Sequence, residues 1–194
     1  RSLLVALLAI APAAWGAVVR SPDGRIAVTV DVDKDGIPQY SASYRGVEIM
    51  PAGKLGLRFE SRPAMDAGFR VAGTATVSHD ATWEQPWGER RFVRDHHYEL
   101  RVDFESTTHV ARRFSVRLRA FDDGFGFRYE VPAQPGYDGA VNITDEVTEF
   151  RLEDEPDTGL VQSRAVALGL PERGQVAVGC QAGLVVVLGV VAGR

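Results

Sequence analysis

Residues 114–132, FSVRLRAFDDGFGFRYEVP, constrain the fold more than any other stretch of the chain. Phe114, Val116, Leu118 and Ala120 alternate with Ser115, Arg117 and Arg119, and alternation resumes at Phe125, Phe127, Tyr129 and Val131. A two-residue period is that of a strand with one buried face. The Asp123-Gly124 pair between the runs suits the positive φ angles of a type I′ turn, so the stretch reads as a β-hairpin. That turn sets Ala120 opposite Phe127, Leu118 opposite Tyr129 and Val116 opposite Val131, all on the apolar face. On the polar face it sets Arg117 opposite Glu130, but Arg119 opposite Arg128. Adjacent guanidinium groups repel, so carboxylates or a ligand are expected over them.

The chain before the hairpin reads the same way. Ile26, Val28, Val30 and Val32 alternate after the Ser21-Pro22-Asp23-Gly24 turn, and Tyr40, Ala42 and Tyr44 follow. Residues 47–50, Leu55, Leu57 and Phe59, residues 69–77, and Tyr98, Leu100, Val102 and Phe104 give further short strands. Asp31, Asp33, Asp35 and Gly36 open like a calcium-binding EF-hand loop. The twelfth position is Ala42 rather than a bidentate glutamate, and no helical pattern flanks it, so a hairpin turn is the better reading. No convincing 3.6-residue period occurs before residue 150. Many short strands separated by Gly, Pro and Asp turns define an all-β sandwich.

A chain of 194 residues suffices for one domain with a real core. Its formal net charge of −4, without a basic stripe, argues against a nucleic-acid partner. The single cysteine, Cys180, excludes an internal disulfide framework. Residues 2–13 form an apolar run behind Arg1, and Ala14-Trp15-Gly16 fits a small-x-small cleavage site. Residues 1–16 therefore read as an N-terminally incomplete signal peptide, too short to span a membrane, with a buried first strand as the alternative. The mature chain is expected to begin near Ala17 in the periplasm or another exported compartment.

Beyond Phe150 the composition changes. All 17 aromatic residues lie at or before that position. Residues 158–194 contain no Lys, Asn, Ile or Asp, and glycines interrupt them at Gly169, Gly174, Gly179, Gly183 and Gly189. A shifted reading frame accounts for this composition better than a flexible linker, which is seldom so rich in valine and leucine. The tail is expected to be irregular and outside the fold, including the aliphatic run 184–191.

Residues 82–99, TWEQPWGERRFVRDHHYE, hold the densest mixture of aromatic and polar side chains. Trp83 and Trp87 flank Pro86, a spacing that can present two indoles on a loop as platforms for sugar rings. Glu89, Arg94, His97 and Glu99 stand beside them to fix hydroxyls. The competing reading makes both tryptophans plugs at the end of the sandwich. His96 and His97 point to opposite faces of a strand and cannot share a metal. His97 and Glu99 share a face and could both ligate, although a solvated strand face explains them more simply. Asp122-Asp123 belongs to a turn, and Asp145, Glu146 and Glu149 do not converge. No catalytic residue and no metal ligand is assigned.

The blocks SPDGRIAVTV, LGL at 55–57, TWEQPWGERRFVRDHHYEL, LRAFDDGFGFRYEVP and DEVTEF occur in this order. Together, over residues 18–157, they resemble the N-terminal domain of glycoside hydrolase family 97, exported bacterial α-glucosidases and α-galactosidases. The resemblance implies a super-β-sandwich of the galactose-mutarotase-like type packed on a catalytic (β/α)8 barrel that carries the carboxylates. It also implies a calcium ion in the complete enzyme, with the sugar bound through the barrel. The 194 residues contain no barrel pattern, and the family's glutamate ligand to calcium would fall where the atypical tail stands, so no residue inherits that role. The expected function is that of a carbohydrate-binding or structural domain of such an enzyme, inactive alone. The alternatives are a free-standing carbohydrate-binding module and a purely structural domain without sugar contact.

Overall fold

The computed structural model describes residues 16–86, 91–137 and 141–151, and the backbone of 184–191. Four strands, β1 (Ala17–Arg20), β2 (Ile26–Val32), β3 (Pro38–Tyr44) and β4 (Val47–Lys54), form one antiparallel sheet in sequence order. A second antiparallel sheet is built from β7 (Phe69–Glu84), β8 (Phe92–Ser106), β9 (Arg113–Phe121), β10 (Gly124–Val131) and β12 (Leu184–Val191), in the order β12-β10-β9-β8-β7. Three short strands, β5 (Leu57–Phe59), β6 (Arg62–Met65) and β11 (Ile143–Glu146), make a third sheet in the order β11-β5-β6. The described residues contain no helix.

The two large sheets face one another, and each strand supplies alternate side chains to the space between. Ile26, Val28, Val30, Tyr40, Ala42 and Met50 come from the first sheet. Leu100, Val102, Phe104, Phe114, Val116, Leu118, Phe125, Phe127 and Tyr129 come from the second, and Leu57, Phe59 and Met65 of the third sheet join the same core. Aromatic rings carry much of the contact. Phe114 stacks on Phe104 at 4.9 Å and meets Phe69 edge-on at 5.0 Å, while Tyr40 lies 5.2 Å from Phe127. Such rings dominate core energetics because each buries a large apolar area and orients its neighbours.

The turns follow their side-chain chemistry. Ser21 Oγ accepts from Ile26 N at 3.0 Å, and Asp23 N donates to Asp122 Oδ1 at 2.9 Å, tying the β1–β2 turn to the β9–β10 turn. Asp33 Oδ1 accepts from the backbone N–H groups of Asp35 (2.9 Å) and Ile37 (2.8 Å), so the Asp-rich loop is a turn, as its sequence suggested. Gly36 has φ +75°, and a Cβ there would lie 2.9 Å from Phe69 N. Only glycine satisfies both conditions.

The β9–β10 hairpin exists, but its register differs from expectation by two residues. Phe121 pairs with Gly124, Ala120 with Phe125, Leu118 with Phe127 and Val116 with Tyr129. The two-residue loop is therefore Asp122-Asp123, and no residue from Asp122 to Gly124 has positive φ. A shift of two preserves the faces, so the apolar pattern could not detect it. At the observed loop the Asp122 carboxylate accepts the Asp23 N–H, a contact from outside the hairpin.

Two more expectations change. Trp83 is not on a loop: Thr82 to Glu84 end β7, and β8 starts at Phe92. Polar side chains conceal the strands, because neither face there is buried by the sandwich. In the tail, Leu184–Val191 form β12 and pair antiparallel along the whole of β10, from Gly124↔Val191 to Val131↔Leu184. A valine-rich run has high strand propensity, and the free edge of β10 offers its unpaired N–H and C=O groups. The run lacks the alternation of a half-buried strand, but edge pairing needs only an extended backbone.

Candidate functional site

Among the described residues the longest ladder joins β7 and β8, from Phe69↔Ser106 to Glu84↔Phe92. Strand β9 covers β8 only from Tyr98 to Glu105. The six rungs from His79↔His97 to Glu84↔Phe92 thus project beyond the sandwich as a two-stranded ribbon, about 20 Å long at ~3.3 Å per residue. Pairing puts His79, Ala81, Trp83, Val93, Asp95 and His97 on its outer side, in line with Glu99 and Arg101 of the sheet. Asp80, Thr82, Glu84, Phe92, Arg94 and His96 occupy the inner side.

The candidate residues separate accordingly. Trp83 is 49% exposed on the outer side. Arg94 faces away from it and is held by Asp80, through Nε at 2.8 Å and Nη2 at 2.7 Å. The paired guanidinium lowers the Asp80 pKa. Trp87 and Glu89 lie outside the described residues. His97 and Glu99 share a face, as the strand period required, but neither is solvated in the expected way.

His97 is only 3% exposed. Its Nδ1 lies 2.6 Å from Asp95 Oδ1, and since a carboxylate only accepts, Nδ1 carries the proton. Phe121 covers the ring at 5.0 Å and His79 leans on it at 4.9 Å. His79 Nε2 stands 3.5 Å from the other Asp95 oxygen. Asp95 therefore holds the buried His97 ring and lies beside the half-exposed His79 ring.

Glu99 is the centre of an ion-pair lattice on the outer face of the second sheet. Arg101, Arg117 and Arg128 fall in one row across β8, β9 and β10. Carboxylates separate them: Arg101 and Arg128 reach along their own strands to Asp103 (2.8 Å) and Glu130 (2.9 Å), while Arg117 reaches diagonally across to Glu99 of β8 (2.5 Å) and Glu130 of β10 (2.8 Å). Arg119 takes the second Glu99 oxygen at 2.8 Å. Burial raises the Glu99 carboxyl, but hydrogen bonds and charge from Arg119 and Arg117 outweigh it and the net pKa is lowered. Glu130 behaves alike under Arg117 and Arg128. The repelling arginine pair read from sequence anticipates this lattice, although the actual neighbours are Arg117 and Arg128.

Glu146 was not among the expected site residues. Gly56 N–H donates to Tyr129 Oη (3.0 Å), Tyr129 lies 2.7 Å from Thr148 Oγ1, and Thr148 donates to Glu146 Oε1 (2.8 Å). Burial raises the Glu146 pKa, Thr148 offsets part of the rise, and the Asp145 charge adds to it. It is the only described carboxyl with a resolved upward shift. A raised carboxyl resembles a general acid, but hydrolysis of a glycoside needs a second carboxylate across the sugar. Asp145 instead turns to Arg58 (3.6 Å), and Glu149 to Arg151 (2.7 Å) and Lys54 (3.8 Å). For the same reason these residues do not fit a calcium ion. Among the described residues no three His, Cys, Asp or Glu side chains form a group that could hold a metal.

The fold and site define a sandwich domain, without helix among the described residues, whose outer polar face carries mutually paired charges. Comparison with known proteins makes the assignment specific. The family described as glycosyl-hydrolase 97 N-terminal matches residues 19–166, and the chain belongs to that family. A glycoside hydrolase family 97 enzyme from Pseudoalteromonas sp. strain K8 is 38% identical over 71% of this chain, with a TM-score of 0.67. Solved structures of that enzyme include complexes with acarbose and with panose. A beta-arabinopyranosidase is 26% identical over 79% of this chain, with a TM-score of 0.66. The chain spans 20% and 24% of these two proteins.

Proposed function

We propose that this chain is the non-catalytic N-terminal domain of an exported family 97 α-glycosidase, an α-glucosidase or α-galactosidase, and serves to support its catalytic part. Family membership supplies the class. The observation that carries the non-catalytic role is the state of Glu99, the best-placed carboxylate of the candidate set: both its oxygens are taken by arginines and its pKa is lowered. A general acid needs the opposite shift. Sugar is bound by the catalytic part, calcium belongs to that part, and residues 1–16 direct export to the periplasm.

A second reading, direct carbohydrate binding, draws on one observation. Trp83 presents a half-exposed indole on the outer side of the ribbon, a surface suited to the C–H face of a sugar ring. One experiment addresses both readings. Purified residues 17–194 are expected to leave nitrophenyl α-glucoside and α-galactoside intact, with or without calcium. Calcium-dependent turnover that persists after contaminating glycosidases are removed overturns the non-catalytic role. Quenching of tryptophan emission by maltooligosaccharides, abolished by Trp83→Ala, would establish the second reading.

A further inference from the structure

The β7–β8 ribbon is more exposed than a free-standing sheet edge should be. Of the sixteen residues of β7, only Phe69 is buried and only Gly73 is partly covered. The described residues include nine exposed large hydrophobic side chains, and five of them, Val71, Val77, Trp83, Phe92 and Tyr98, lie on these two strands. Phe92, at 60%, sits on one side of the projecting end and Trp83 on the other. An open groove of about 370 Å³ beside the ribbon base adds Val18 and Val19 of β1 to Val77 and Tyr98.

Among the described residues of the ribbon the arginines have carboxylate partners. Arg94 is held by Asp80, Arg91 by Glu84 at 2.8 Å, and Asp95 by His97 and His79. What remains unsatisfied is apolar area on both sides, and the outer backbone edge of β7, which ends the sheet. A two-stranded ribbon is marginal in water, and an exposed hydrophobic edge invites pairing. The family 97 relative is five times as long as the part this chain matches, which provides a covering surface in the same polypeptide.

We propose that the β7–β8 ribbon is a docking arm, clasped on both sides by an apolar cleft in the remaining, more C-terminal part of a family 97 enzyme. This rests on the domain reading above and assigns a partner to one element of it. The arm's residues are Trp83 and Phe92 at the end and Val77 and Tyr98 at the base.

The test is a chimaera in which residues 17–151 replace their counterparts in the Pseudoalteromonas sp. strain K8 enzyme, compared by hydrogen exchange with the isolated 194-residue chain. Amides of 79–84 and 92–97 are expected to exchange about tenfold or more slowly in the chimaera, the difference between a fraying edge and a covered one. The double variant Trp83→Ser/Phe92→Ser is expected to lower the thermal midpoint of the chimaera while leaving that of the isolated chain in place. Val47→Ser, an equally exposed site on β4, should move neither. A folded, active chimaera whose ribbon exchanges as in the isolated chain overturns the arm and leaves the domain reading intact. Concentration-dependent ribbon protection in the isolated chain, unchanged in the chimaera, assigns the surface to a second copy and also overturns it. A chimaera that does not fold, beside an isolated chain that does, counts against the arm and the domain reading together.

Discussion

Replacing Arg117 by Met tests the lattice on the outer face of the second sheet. Met keeps most of the length and apolar stem of Arg while removing the charge. Arg117 bridges Glu99 (2.5 Å) and Glu130 (2.8 and 3.3 Å), and the three side chains are 24%, 10% and 25% exposed. Breaking a buried ion pair costs about 3–5 kcal/mol, whereas exposed pairs contribute about 0–1 kcal/mol. Glu99 retains Arg119 and Glu130 retains Arg128, so neither carboxylate is stranded. The loss should therefore fall between these limits, at about 2 kcal/mol near neutral pH.

The pH dependence distinguishes charge from packing. Both carboxyl groups have folded pKa values below their unfolded values. Their contribution is fully present above the unfolded value, about 4.3, and is lost as pH falls through the lowered folded values. Urea unfolding followed by circular dichroism should show the deficit of Arg117→Met shrinking on acidification. A deficit that is the same near pH 7 and near pH 3, or one under about 0.5 kcal/mol at neutral pH, refutes the account.

Other substitutions probe the core and the relay to Glu146. Phe127→Ala, which empties a site beside Tyr40, Leu118 and Tyr129, should cost about 3–5 kcal/mol in a denaturant titration. Tyr129→Phe leaves the Gly56 N–H without its acceptor and should cost about 1–3 kcal/mol, with faster exchange of that amide. Glu146→Gln should be stabilising near pH 7. The folded pKa of Glu146 is raised, so its favourable contribution is present below the unfolded value and lost as pH rises through the folded one. Glutamine cannot ionise and still accepts from Thr148, so its urea midpoint should exceed that of wild type at neutral pH and converge with it in acid.

Much of this protein is legible in the chain itself. The alternation in residues 114–132 determines the hairpin and its buried face, because side-chain direction along a strand depends only on position parity. The same parity places His97 and Glu99 together, and a repelling arginine pair implies the carboxylates that hold it. Asp33 and Gly36 specify their turn through local chemistry alone. Contacts between distant segments decide the rest. The hairpin register is invisible to parity, and the loop it adopts, Asp122-Asp123, is met by Asp23 from far away in sequence. His97 is buried because Phe121 and His79 come from other strands, and Glu99 is saturated because Arg117 and Arg119 lie across the ladder. Trp83 is expected on a loop from sequence because periodicity reports burial, and six rungs of β7 and β8 extend past the sandwich that would bury them. Strand β12 is hidden for the converse reason: backbone hydrogen bonds to the β10 edge require no alternation of side chains at all.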